Sequence, residues 1–345
     1  MGNAPKKHQL GEYLDVGRFY TKSHQFQLWE TNAYLRLGDA NRLNNDVQKA
    51  MEYYEKALKI AKKRGYKVEE TLACLELGHA YRLKNQIQKA IECYEKTLEI
   101  ANERGYKPEE TRAYFALGDA YRSKNHVQKA MEYYEKALEI AKEREYKHEE
   151  TCTYLGLGRA YRLNNQIQKA MKYYEKALEI ARERGYKQEE TCAYLGLGNA
   201  YRLNNQVQKA MECYEKALEI AKQQGYKLEE TRAYLGLGEA YRLNNQIQKA
   251  TECYERALEI AKERGYKREE THAYLELGHA YRLKNQTQKA MEYYEKALEI
   301  AKEREYKHEE TCAYLGLGDA NRLKNHVQKA MEYYEKALEI AKEQG

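Results

Sequence analysis

The chain has 345 residues, 33% of them charged, with 60 lysines and arginines against 54 acids and a net charge of +6. No run of eighteen apolar residues occurs, which excludes a spanning helix, and two prolines in the whole chain favour long helices. Seven cysteines, an odd number without a C-x-x-C pair, fit free thiols in a reducing compartment and predict a cytoplasmic protein.

In chain order, Met1-Gly2 opens a start without the apolar core of a secretory signal, and Lys6 stands where an N-myristoylation site carries Ser or Thr. Acylation of Gly2 is therefore the minor reading beside a plain polar start. Residues 13–20, YLDVGRFY, carry a helix pattern that recurs downstream, and residues 1–30 read as a degenerate half repeat capping the rest. From Thr31 a 40-residue unit follows without insertion or deletion, restarting at Thr71, Thr111, Thr151, Thr191, Thr231, Thr271 and Thr311. Residues 31–345 are thus eight tandem units, the last truncated, and a strict period in this range marks a stacked array.

Each unit predicts two helices. In the second unit Cys74, Leu77, Gly78 and Tyr81 fall at i, i+3, i+4 and i+7, one face of a first helix. Pro108 belongs in the first turn of the helix that opens the next unit, and Glu109 and Glu110 suit the positive end of that helix's dipole. Asn85 and its equivalents tolerate the left-handed conformation that ends a helix, and asparagine also caps a following one. The second helix is predicted from Ile87 to about Arg104, with Gly105 closing it. Glu145 and Glu305 replace that glycine, which predicts either a strained turn or a longer helix.

The skeleton Tyr194-x-x-Leu197-Gly198-x-x-Tyr201, then Ala210, Tyr214 and Ala217, resembles the tetratricopeptide repeat signature and recurs across residues 31–345. The resemblance implies an all-α, right-handed superhelical α-solenoid of antiparallel helix pairs. The 40-residue length, with no proline at the unit's end except Pro108, is similar to the repeats of the LGN/Pins group of G-protein-signalling modulators. That group holds extended peptides of polarity and spindle-orientation proteins on its concave face. Nothing in the chain resembles the motifs by which the group binds G-protein α subunits. The implied role is a scaffold or signalling adaptor, not an enzyme, and no cofactor is expected. Family members that clamp a terminal carboxylate use a lysine at the fifth position, which is apolar here throughout.

If the first helices line the groove, the ligand face comprises residues two, five, six, nine, twelve and thirteen of each unit. An arginine ladder fills the twelfth position, and Arg82, Arg162, Arg202, Arg242 and Arg282 are candidate ligand contacts with Arg159, Asn199, Leu155 and Leu195. One reading has the ladder binding carboxylates of an acidic peptide. The other pairs each arginine with an acid three residues earlier, which Asp39, Asp119, Glu239 and Asp319 allow and His79, Arg159, Asn199 and His279 do not. Gly156, Gly196, Gly236 and Gly316 sit mid-helix on this face without an evident packing reason, so either a ligand backbone needs room or a stable array tolerates them.

Four of these columns hold twelve arginines against six acids, which makes RNA the competing ligand, but Phe115 is the only groove aromatic. His272, His279, Cys312 and Asp319 form a minor metal candidate; the expectation is that no metal is held. The helix before Gly345 has an apolar flank, which invites end-to-end self-association.

Overall fold

The computed structural model describes residues 7–44 and 46–344, with side chains from 24 to 44 and from 46 to 343; Gly2 lies outside these. Every element among them is a helix: α1 (Lys7–Leu43), α2 (Val47–Arg64), α3 (Lys67–Leu83), α4 (Ile87–Arg104), α5 (Lys107–Ser123), α6 (Val127–Glu143), α7 (Lys147–Leu163) and α8 (Ile167–Arg184). The series continues with α9 (Lys187–Leu203), α10 (Val207–Gln224), α11 (Lys227–Leu243), α12 (Ile247–Arg264), α13 (Lys267–Leu283), α14 (Thr287–Glu303), α15 (Lys307–Leu323) and α16 (Val327–Gln344). The helices pack in consecutive pairs as an α-solenoid. None is long and apolar enough to cross a membrane.

The solenoid divides into two bodies, residues 1–160 and 161–345. In the first, α1 touches α3 and α3 touches α5; in the second, α9, α11, α13 and α15 touch in succession. No two even-numbered helices touch among the described residues, so within each body the first helices form one continuous row. Residues 13–20 do not form a separate helix but continue into the first unit as α1. There the Tyr66 hydroxyl donates to the carbonyl of His24, tying α1 to the α2–α3 turn.

The turns explain the pairing. Asn85 has φ +58°, its N–H donates to Arg82, and the Gln86 N–H donates to Tyr81, the paired bonds of a Schellman motif. The next helix begins at Gln86 without a side-chain cap, so asparagine ends one helix but does not cap the other. Glu145 and Glu305 take the left-handed conformation too, at φ +57° and +56°, and their helices stop at Glu143 and Glu303 without running on.

At the core of each unit lies one tyrosine of the second helix. Tyr54, Tyr94, Tyr134, Tyr174, Tyr214, Tyr254 and Tyr294 are all fully buried. Gly118 and Gly156 both face the Tyr134 ring, and Gly198 and Gly236 both face Tyr214. A Cβ added at Gly156 would stand 2.7 Å from Tyr134, and one at Gly196 2.5 Å from Tyr174. The mid-helix glycines therefore have a packing reason after all: the tyrosine of the preceding unit occupies the space a side chain would need.

Candidate functional site

Backbone pairing and core packing leave the row of first helices carrying the changeable polar residues. In five units the ninth-position residue meets the hydroxyl of the tyrosine at the unit's core. That hydroxyl donates to Asp39 from Tyr54 at 2.8 Å, to Asp119 from Tyr134 at 2.6 Å, to Asn199 from Tyr214 at 2.8 Å and to Asp319 from Tyr334 at 2.9 Å. His79 Nδ1 lies 2.9 Å from the Tyr94 hydroxyl. Tyr254 departs from the pattern, donating to Glu276 at 3.1 Å. A column that varies sharply in sequence thus has a structural task as well as an exposed edge.

The arginines of the ladder are half-buried except for Arg322, which is exposed. Asp119 pairs with Arg122 at 2.9 Å; burial opposes its charge, but Arg122, Arg82 and Arg159 hold the carboxyl down at about 2. Arg42 and Arg322 also approach the acid three residues earlier, Asp39 at 3.8 Å and Asp319 at 4.0 Å, and several arginines find a partner in the following unit. Arg42 reaches Glu76 at 3.6 Å, Arg202 reaches Glu239 at 3.0 Å, Arg242 reaches Glu276 at 3.4 Å and Arg282 reaches Asp319 at 3.7 Å. Arg162 has no ion pair among the described residues, and its Nε is buried without a hydrogen bond. Its charge acts on Tyr214, the residue that Asn199 and Arg202 also engage. The charges of Arg202 and Arg162 act on that hydroxyl, and Glu239, which pairs with Arg202 and which His272 approaches at 3.4 Å, acts against them; Glu276 also acts on Arg202.

Further along, Glu276 is surrounded. Burial opposes its ionisation, but His279, His272 and Arg242 hold it down at about 2. His272 itself is pushed above its ordinary value: burial works against this, and the Glu239 and Glu276 carboxylates outweigh it. The four metal candidates do not converge. His272 and His279 face Glu276 at 4.0 and 3.6 Å, Cys312 meets His308 at 3.9 Å, and Asp319 serves Arg282 and Tyr334.

Of the residues expected to meet a ligand, Leu155 and Leu195 are 4% and 8% exposed and belong to the interior, because neighbouring first helices close over the fifth position. Arg202, Arg242 and Arg282 are on the row but paired; Arg82 is on the row, its Nε buried without a hydrogen bond. Asn199 accepts from the Tyr214 hydroxyl, on which the charge of Arg162 also acts. Sequence reasoning missed the inter-unit acids, which stand 34 or 37 residues after their arginines. It also missed a cavity in the first body of 330 Å³, lined by Leu75, Glu76, His79, Arg112, Phe115, His148, Glu149 and Cys152. The signal was there: Glu76 and Phe115 depart from the residues usual in their columns.

Tetratricopeptide repeat family models match residues 70–143, 132–183, 189–263 and 268–343, and a second such model matches residues 31–64. The chain belongs to the tetratricopeptide repeat family. No curated protein matches it. Among solved structures, this tetratricopeptide repeat chain is similar to the apo quorum sensor NprR from B. thuringiensis, with TM-score 0.72, 19% identity, and 96% and 94% of the two chains covered. A Rap protein complexed with Competence and Sporulation Factor gives TM-score 0.68 and 15% identity over 94% and 99% of the chains. A STAND signal-transduction ATPase with a tetratricopeptide repeat sensor, from Pyrococcus horikoshii, gives 0.64 and 20% over 89% of this chain; the chain spans 47% of that protein's length. At these identities the likeness is one of fold.

Proposed function

We propose that the chain is a cytoplasmic scaffold that holds an extended, acidic peptide segment of a partner protein along its row of first helices. The carrying observation is the charge imbalance around Tyr214. Arg162, half-buried and without an ion pair among the described residues, acts by its charge on the Tyr214 hydroxyl that Asn199 and Arg202 engage, and Glu239 pairs with Arg202, not with Arg162. A partner's carboxylate completes this set: Arg162 offers a planar, permanently charged fork. The Asn199 Oδ1 is taken by Tyr214, which leaves its amide N–H groups to donate to the peptide. The similarity of the 40-residue unit to the LGN/Pins repeats supports an extended peptide. So do the similar Rap proteins, one solved with Competence and Sporulation Factor and one, a conjugation gene regulator, with the Phr* peptide.

Arg162→Glu is the discriminating variant, because it breaks no ion pair among the described residues. On an array of acidic and neutral twelve-residue peptides, the wild type should retain acidic ones. Arg162→Glu, with an unchanged circular dichroism spectrum, should lose them by about tenfold or more. Equal retention by the variant rejects the proposal. Random single-stranded RNA bound as tightly as the best peptide, with a steep salt dependence, points to a nucleic-acid ligand instead.

A further inference from the structure

The cavity in the first body makes a second demand on a ligand. Its floor is apolar, formed by Leu75 and the half-buried Phe115, and its wall carries Glu76 and Arg112. Oε2 of Glu76 is buried without a hydrogen bond; Arg42 approaches it at 3.6 Å, too far to supply one. A buried acceptor without a donor is costly, and a ligand that brings a donor recovers that cost.

The charges around the cavity balance: Arg42 stands by Glu76, and Arg112 lies 3.4 Å from Glu149. An entering ammonium or guanidinium would shed its water for no net negative field, and an entering carboxylate would meet Glu76. His79, on the same wall, is held by Tyr94. A neutral, flat, apolar group with one donor satisfies both the floor and the orphaned oxygen. A volume of 330 Å³ is at the lower end of small-ligand pockets and accommodates one large side chain.

We infer that this cavity is an anchor pocket for a tryptophan of the bound peptide, its ring on Leu75 and Phe115 and its indole N–H donating to Glu76. Indole combines the largest flat apolar surface among side chains with a polar group that only donates. Tryptophan is also a side chain that dominates binding when seated in such a pocket. The inference rests on the peptide-scaffold reading above and gives that peptide a second, apolar determinant.

The test is ¹⁹F NMR of N-acetyl-5-fluorotryptophanamide titrated with the full chain, beside N-acetyl-4-fluorophenylalaninamide, which lacks the donor. The tryptophan probe should bind about tenfold more tightly. Glu76→Ala should abolish that preference; Ala116 already stands at the equivalent place one unit on, so the exchange suits the fold. Phe115→Ala should weaken both probes. Equal binding of the two probes, tighter binding of an N-acetyl-lysinamide competitor, or a preference that survives Glu76→Ala each overturns the inference. Neither probe carries a carboxylate, so Arg162→Glu should leave both unchanged. A chain that retains acidic peptides but not the tryptophan probe loses this inference alone; the converse result removes the acidic determinant alone.

Discussion

At the scale of single residues, the ninth position shows how one place answers to two demands. In five units it partners the core tyrosine's hydroxyl and edges the exposed row, so a change there alters both the core and the surface. His79 makes the consequence measurable. Burial, with the charges of Arg82 and Arg42, lowers its imidazole from 6.5 to about 4. A group so depressed binds its proton more readily in the unfolded chain. Its stability contribution is therefore intact above pH 6.5 and is lost as the pH falls towards 4, by on the order of 2–3 kcal/mol. His79→Asn, which copies Asn199 against Tyr214, should remove that part of the acid sensitivity. Urea unfolding at pH 7, 5.5 and 4 checks it; equal losses in both proteins contradict the assignment to His79.

At the scale of elements, the turns decide where helices stop. In five turns the left-handed residue is Gly65, Gly105, Gly185, Gly225 or Gly265, with φ between 69° and 74°, whereas Glu145 and Glu305 bear the same conformation with a side chain. Glu145→Gly and Glu305→Gly should each stabilise the fold by about 0.5–1 kcal/mol, the left-handed penalty less the added unfolded-state freedom of glycine. A lowered thermal midpoint for either variant rules this out. These boundaries were legible in the sequence because turn chemistry is local: Asn85 and Gly105 act on backbone a few residues away. The site was less legible because its partners are not local. Nothing near Arg202 announces Glu239, and nothing near Gly196 announces the Tyr174 ring of the preceding unit. Both follow from the stacking of units, which the period implies but whose register is set by contacts between side chains of different units.

At the scale of the whole molecule, each unit draws its burial from its sequence neighbours, so stability is distributed unevenly along the array. Within the second body the contrast is sharp. Tyr214 is 1% exposed, with Gly198 on one side and Gly236 on the other. Tyr334, its equivalent in the last unit, faces Gly318 and is only half-buried, and α16 exposes Val327, Met331 and Leu338. Tyr214→Ala removes a ring from a closed slot and should cost about 3–5 kcal/mol, whereas Tyr334→Ala should cost roughly half that or less. The two should also differ in reach. Hydrogen exchange of the wild type should show α16 amides exchanging before those of α10. Tyr334→Ala should accelerate exchange in α15 and α16 alone, while Tyr214→Ala should accelerate it in α9, α10 and α11 together, because its ring bridges two units. Uniform acceleration across the chain in both variants would mean that the array unfolds as one cooperative body, and nearest-neighbour stacking would then no longer account for its stability.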